Sequence, residues 1–164
     1  MTDELVDIVD DDDRVVGTVT RAEMRAGRLQ HRSVGVVVMS GEGRLLVHRR
    51  SAAKDIWPGW WDIAAGGVVA AGETYEEAAR RELAEELGIA GVEFELLGQS
   101  RFVDDDVAEL CRGYRVVHDG PFTFDDGEIV EVRWVTLVEL DTMRATHRFL
   151  PDSIALLLPL LHRL

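Results

Sequence analysis

Three glutamates stand close together near the middle of the chain, and they are the side chains with the clearest capacity for chemistry. Glu82 precedes Glu85 by three positions and Glu86 by four. On a helix, these spacings put the three carboxylates within about one turn of each other. Such carboxylates repel one another unless a cation lies among them, and oxygen ligands of this kind suit Mg2+ or Mn2+. A solvated acidic helix face is the alternative interpretation of the three residues taken alone.

The residues around these glutamates predict an amphipathic helix. Thr74 followed by Glu77 fits a capping box at the start of a helix, and Gly88 fits the stop at its end. Apolar residues between them recur near the spacing of one buried face, at Tyr75, Ala78, Ala79, Leu83 and Leu87. The carboxylates are therefore expected on a helix rather than on a loop.

A turn bracketed by glycines leads into this helix and carries a longer pattern. The segment 67–89 fits G-x5-E-x7-R-E-U-x-E-E-x-G-U, where U is aliphatic, at Gly67, Glu73, Arg81, Glu82, Leu83, Glu85, Glu86, Gly88 and Ile89. This pattern is the Nudix box, and the chain resembles the Nudix hydrolase family with no departure inside the box. A weaker resemblance over nearly the whole chain is to the isopentenyl-diphosphate-isomerase-like branch of that family. The match favours a metal site over a solvated face.

The order of the elements predicts an α+β fold. Strand-like runs stand before and after the box helix, and an apolar helix is expected over residues 151–164. The resemblance implies the same class, a Nudix-type α/β/α sandwich with a mixed β-sheet and the box as loop-helix-loop. We expect a single domain over residues 1–164, which begins with a hairpin and a short helix in residues 1–30.

The composition limits the classes of molecule that the protein is expected to bind. The chain has 164 residues, a formal net charge of −13 and a single cysteine, Cys111. The negative charge argues against binding a nucleic-acid polymer, and a lone cysteine cannot form an internal disulfide. Neither a secretory leader nor an apolar run long enough to cross a membrane is found, so a cytoplasmic protein without a membrane partner is expected.

The resemblance implies a Mg2+-dependent hydrolase with a small diphosphate as its substrate. The bond cleaved would be the diphosphate bond of a nucleoside diphosphate linked to another group, or of a similar compound. Its Mg2+, or Mn2+, would be held by Glu82, Glu85, Glu86 and the backbone carbonyl of Gly66. Such an ion neutralises phosphate oxygens and lowers the pKa of a bound water. The resemblance also allows a homodimer, for which the residues show no interface.

Other charged residues would complete the catalytic set. Two candidates stay open for the general base that activates the water, Glu85 in the box and Glu128 after the sheet. Arg81 is expected to orient a carboxylate through charge-assisted hydrogen bonds. Glu73 is expected to support the loop before the helix or a ligand.

Substrate contacts are predicted in the segment before the box. Arg49 and Arg50 end a strand, where they could pair with phosphate or form an exposed salt bridge. Trp57, Trp60 and Trp61 could stack on a base or cover the sheet; packing is favoured overall, with Trp60 as the candidate to line the pocket.

Two other functions compete with hydrolysis. The segments that look like isopentenyl diphosphate isomerase are His31-Arg32-Ser33, Arg49-Arg50, Lys54 and Trp57-Pro58. That enzyme also needs a catalytic Cys and a metal-binding His just before the box glutamates, where this chain has Gly66 and Val68. Neither side chain can donate a proton or ligate a metal, which argues against the isomerase. A catalytically silent nucleotide-binding module is the third reading, and the intact glutamates argue against it.

Overall fold

Residues 3–164 are described by a computed structural model, and its elements alternate between strands and helices. The strands are β1 (Leu5–Val9), β2 (Val15–Thr20), β3 (His31–Met39), β4 (Leu45–Arg50), β5 (Trp61–Asp62), β6 (Ala65–Val68), β7 (Glu95–Val103), β8 (Ala108–Val117) and β9 (Ile129–Val135). The helices are α1 (Arg21–Gly27), α2 (Tyr75–Leu87), α3 (Leu137–Arg144) and α4 (Pro151–Leu161). None of the helices within residues 3–164 has the length and apolar character needed to cross a membrane.

The strands form one mixed sheet with β3 near its centre. Strand β3 runs parallel to β8 and antiparallel to β1, β4 and β6. Strand β7 extends the sheet beyond β8, and β9 pairs with β4. The predicted α+β class with a mixed sheet is confirmed.

Two apolar cores lie on opposite faces of the sheet. On one face, Val34 and Val36 of β3 pack with Leu83 and Leu87 of α2. On the other face, Val37 of the same strand packs with residues of α3 and α4, among them Leu140, Leu157 and Leu161. Because successive residues of a strand point to opposite faces, β3 contributes to both cores. The result is the predicted α/β/α sandwich.

Helix α4 packs against the sheet at two strand residues that lack a side chain. A Cβ added at Gly35 would lie 2.8 Å from a methyl carbon of Leu157, and one added at Gly113 would lie 2.5 Å from the other. These glycines sit opposite each other in the parallel pair of β3 and β8. They let the middle of α4, at Leu157, pack directly against the sheet.

Local sequence sets the limits of α2. The Thr74 hydroxyl accepts a hydrogen bond from the Glu77 N–H at 3.1 Å, which satisfies a free donor of the first turn. Gly88 ends the helix with a φ of 69°, a conformation that glycine adopts without strain. The helix therefore starts and stops where the sequence predicts.

Candidate active site

Two of the three carboxylates that were predicted to bind metal lie in the interior. Glu82 and Glu86 are 9% and 4% exposed, on the side of α2 that faces β6. The backbone N–H of Gly66 donates to Glu86 Oε2 at 3.3 Å. A Cβ on Gly67 would lie only 2.6 Å from Glu82 Oε1. Gly67 therefore leaves the space that the Glu82 carboxylate occupies, and the Gly66 backbone holds the Glu86 carboxylate.

Arg81 connects the box residues to one another. Its Nε and Nη2 donate to the two carboxylate oxygens of Glu73 at 2.8 and 2.9 Å. Its Nη1 donates to Glu82 Oε1 at 2.8 Å and reaches Glu85 Oε2 at 3.4 Å. The hydrogen bonds from Arg81 lower the pKa of Glu73, and those to Glu73 raise the pKa of Arg81. Arg81 thus holds the loop before α2 and orients Glu82.

The loop end of this network is also fixed. Glu73 Oε1 accepts a hydrogen bond from the backbone N–H of Ala70 at 3.0 Å. Because both Glu73 oxygens are engaged by Arg81 and one also by the backbone, the carboxylate supports the turn rather than facing the cleft. Of the two roles predicted for Glu73, the geometry supports the structural one.

Burial sets the electrostatics of the inner pair. It raises the pKa of Glu82 to about 7, an effect that the charge of Arg81 partly opposes. It also raises the pKa of Glu86, and the neighbouring charge of Glu82 adds to the rise. Two buried carboxylates that repel each other are stabilised by a cation, and their oxygens are the donors that a hard divalent ion prefers.

The predicted three-carboxylate set is only partly assembled. Glu85 lies at the rim, with its side chain 52% exposed, in an ion pair with Arg81. Across residues 3–164, no three His, Cys, Asp or Glu side chains already converge as metal ligands. Glu82 and Glu86 therefore fit an ion by type, burial and proximity, whereas Glu85 would first have to turn from Arg81.

An open cleft of about 380 Å³ lies between β6 and α2; Glu82 and Glu85 line it, whereas Glu86 lies beneath its surface. We call it the carboxylate cleft; its lining includes Arg21, Lys54, Gly66, Gly67, Arg81, Glu82, Glu85 and Glu128. Lys54 Nζ pairs with Glu128 Oε2 at 3.0 Å, so both charges stand at the mouth. Arg21 reaches the same mouth from α1 and pairs with Asp55 at 3.4 Å.

These two cations were not predicted as site residues. Lys54 lies in an irregular loop and was noted only for the isomerase-like resemblance, and Arg21 lies inside the capping box of a short helix, a pattern that predicts the helix and not a site. The box glutamates are the signal that could have pointed to such cations, since a diphosphate that binds beside carboxylates needs compensating positive charge.

Some predicted substrate contacts lie elsewhere. Arg49 faces Glu131 across the β4–β9 pair, with 3.6 Å between Nε and the carboxylate, and Trp60 stacks on Trp57 with ring centroids 6.3 Å apart. Neither residue lines the carboxylate cleft. Arg50 faces a second cavity, where Trp57 rather than Trp60 forms part of the wall. The structure thus favours strand-end pairing for Arg49 and packing for Trp60.

A buried acid outside the cleft gives a testable pH effect. Burial raises the pKa of Asp62 to about 7, and the charge of Asp152 adds to the rise. Between the ordinary pKa of an aspartate, about 3.9, and this value, the folded state binds more protons than the unfolded state. The free energy of unfolding therefore falls as the pH rises through this window.

We expect Asp62→Asn to remove this pH-dependent loss. The asparagine oxygen can still accept the 3.2 Å hydrogen bond that Ala64 N–H donates to Asp62 Oδ1. Relative to the wild type, the variant should gain on the order of 3 kcal/mol between pH 4.5 and pH 8. Urea unfolding at both pH values measures the gain, and a pH-independent difference would contradict the buried, protonated state of Asp62.

Comparison with known proteins places this geometry in a family. A sequence model of the NUDIX domain matches residues 29–155. An uncharacterized Nudix hydrolase of Yersinia pestis is 46% identical over 155 residues, which cover 92% of this chain and 82% of the relative. The chain belongs to the Nudix hydrolase family. The enzyme class predicted from the box is confirmed, while its isomerase-like branch stays a prediction.

Solved structures of this family share the fold. The DR0079 protein of Deinococcus radiodurans has a TM-score of 0.79 and 29% identity, with 98% of each chain covered. The NUDIX domain of NrtR from Shewanella oneidensis, solved in complex with ADP ribose, has a TM-score of 0.66 and 18% identity, with 88% of this chain and 99% of that chain covered. At the latter identity only the fold is shared.

Proposed function

We propose that this Nudix hydrolase cleaves the diphosphate bond of a nucleoside diphosphate linked to another group, or of a similar small diphosphate, with Mg2+ as its cofactor. The burial of Glu82 and Glu86 against the glycines of β6 carries the proposal. Glu85 and the backbone carbonyl of Gly66, which line the same cleft, would complete the oxygen ligands. Mn2+ suits this donor set as well.

The chain's own residues would bind and orient the diphosphate. Lys54 and Arg21 line the cleft together with Arg81, where they would attract the phosphate oxygens. Arg81 keeps Glu82 in place through its 2.8 Å hydrogen bond. A divalent ion, when bound, would neutralise phosphate charge and lower the pKa of a water ligand.

Two carboxylates are candidates to take the proton from the attacking water. Glu85 lies on α2 beside Arg81, and Glu128 lies across the cleft in its pair with Lys54. A base has to come within hydrogen-bond reach of the water, so both remain candidates. Glu85→Gln and Glu128→Gln separate them, because loss of the base lowers kcat and removes the acidic limb of the pH–rate profile.

The isomerase alternative has less support. It needs a proton donor and a metal ligand on β6, where Gly66 has no side chain and Val68 packs in an apolar cluster with Val6 and Met24. The resemblance to that branch is thus better explained by a shared diphosphate-binding scaffold. A dimer and a cytoplasmic location also remain predictions.

A substrate panel tests the proposed reaction. We expect Mg2+-dependent cleavage of at least one diphosphate among nucleotide sugars, dinucleoside polyphosphates, oxidised nucleotides and isoprenoid diphosphates. ADP ribose belongs in the panel because the NrtR domain of the same fold was solved in complex with it. EDTA should abolish the activity. Isomerised isoprenoid diphosphate would instead favour the isomerase, and tight nucleotide binding without any turnover would favour the silent module.

A further inference from the structure

Helix α1 precedes the part of the chain that matches the NUDIX domain, yet it is fixed to the sheet beside the carboxylate cleft. Met24 is 1% exposed and packs with Val6 of β1 and Val68 of β6. A complete capping box closes the first turn, where the Thr20 hydroxyl accepts a hydrogen bond from the Glu23 N–H at 3.1 Å. The helix therefore keeps a fixed position relative to β6, the strand that forms one wall of the cleft.

Two arginines on one face of α1 bind a single carboxylate. Arg21 and Arg25 are four residues apart, so their side chains project from the same side of the helix. Arg21 Nε lies 3.4 Å and Arg25 Nε 3.3 Å from the same oxygen, Asp55 Oδ2. Burial alone would raise the pKa of Asp55, but the charges of Arg21 and Arg25 outweigh it, and the pKa lies below its ordinary value. Asp55 is therefore charged at neutral pH, and we call these three residues the α1 clamp.

The α1 clamp holds the loop 51–60, which joins β4 to β5. At the start of this loop the Ser51 N–H donates to a backbone carbonyl before β9 at 2.8 Å, and in its second half Trp57 is buried in an apolar cluster. Between these points, the N–H groups of Lys54 and Gly59 share one acceptor, the Ser51 carbonyl, at 3.3 Å each. These distances are beyond the usual range of about 2.7–3.2 Å. The middle of the loop thus depends on its side chains, and Asp55 ties it to α1.

The order of residues couples the α1 clamp to the cleft. Lys54 directly precedes Asp55, and its side chain is 15% exposed in the pair with Glu128. Arg21 also lines the cleft, where it would meet the diphosphate, whereas Arg25 is not part of that lining. A phosphate that takes hydrogen bonds from Arg21 weakens the pair between Arg21 and Asp55. Arg25 is then the partner that keeps the loop in place.

We propose that Arg25 and Asp55 are positioning residues for diphosphate binding. They keep the loop 51–60 on α1, so that Lys54 stays in the cleft after Arg21 has turned to the phosphates. The ligand in this assignment rests on the proposed hydrolysis, whereas the tether itself belongs to the ligand-free protein. The competing interpretation treats Asp55 as an acid that only offsets the charge of Arg21. The two differ in sign, because removing an anion from the cleft would by itself favour an anionic ligand.

Hydrogen exchange measures the tether without any ligand. Followed by NMR, the amide hydrogens of Lys54 and Gly59 report opening of the loop, since both make the long hydrogen bonds described above. We expect Asp55→Asn and Arg25→Gln each to speed this exchange about two- to fivefold, the size expected for a partly exposed ion pair. Exchange at the wild-type rate in both variants would overturn the proposal.

Binding of an uncleavable diphosphate measures the consequence for the cleft. Adenosine methylenediphosphonate has a CH2 group in place of the bridging oxygen, so it is not hydrolysed between its phosphorus atoms. In calorimetry with Mg2+, Arg25→Gln should weaken its binding about fivefold, and Asp55→Asn at least about twofold despite the loss of a negative charge. In the Asp55→Asn background, adding Arg25→Gln should change the affinity less than about twofold, since the two residues act through one contact.

The matched control is Arg144→Gln, which removes an ion pair with Asp141 on α3 and should change neither measurement. Arg25→Lys, which keeps the charge, should restore part of the loss. Thermal unfolding checks that each variant is folded, and Arg25→Gln provides the reading if Asp55→Asn is not. Tighter binding by Asp55→Asn, or losses that add in the double variant, would show that the α1 clamp does not position the loop. No binding of the analogue by the wild type would count against the proposed hydrolysis, and the exchange rates would then decide the tether.

Discussion

Replacing Glu86 by Gln is expected to lower kcat/KM for diphosphate hydrolysis by about 10²–10³-fold and to weaken Mg2+ binding. Gln has the same shape and can still accept the hydrogen bond that Gly66 N–H donates at 3.3 Å. What it removes is the negative charge beside Glu82, which is the feature that a divalent ion needs. Steady-state kinetics and a Mg2+ titration by calorimetry measure the two losses.

Stability separates this electrostatic effect from a folding defect. Glu86 is 4% exposed and its pKa is raised by burial, so removing its charge should leave the metal-free protein at least as stable as the wild type at pH 8. Glu76→Gln is the control, since it changes an exposed residue of the same helix. A Glu86→Gln enzyme with full rate would refute the metal assignment.

The largest expected loss of stability comes from Gly66→Ala. A Cβ at this position would lie 2.0 Å from the carbonyl oxygen of Val34, a backbone atom of the central strand β3 that cannot move aside locally. We expect the free energy of unfolding to fall by about 3 kcal/mol or more, together with loss of activity. Urea unfolding followed by circular dichroism measures the change.

Two other glycines calibrate this result. Gly17 in β2 has open space at its Cβ position, so Gly17→Ala should be nearly neutral. Gly67→Ala would meet Glu82 Oε1 at 2.6 Å, at the far end of a side chain that can move. It should therefore lower activity more than stability. Equal stability losses in Gly66→Ala and Gly17→Ala would show that β3 and β6 are not packed as described.

Sequence reasoning found what short-range patterns determine. The capping residue Thr74, the apolar face of α2 and the stop at Gly88 are read within one helix, because helical geometry fixes which residues lie near each other. The spacing of Arg81, Glu82 and Glu86 likewise predicted that these residues lie near one another on the helix. The fold class followed because strands and one central helix can bury their apolar faces in only a few ways.

Only the tertiary structure decided which of these residues are buried and what else they meet. Glu82 and Glu86 are enclosed because β6 packs along one side of α2, whereas Glu85 lies at the exposed rim. Arg21 and Lys54 reach the cleft from distant segments, so no local spacing could reveal them.

The second cavity depends on long-range pairing even more strongly. Ser33 and Glu109 share a face because β3 pairs with β8 in a particular parallel register, and Asp152 reaches the same cavity from the first turn of α4. A shift of one residue in that register would turn one strand's side chains to the opposite face. Sequence by itself thus determined the chemistry of the box, while strand register and helix packing decided the shape and charge of the space around it.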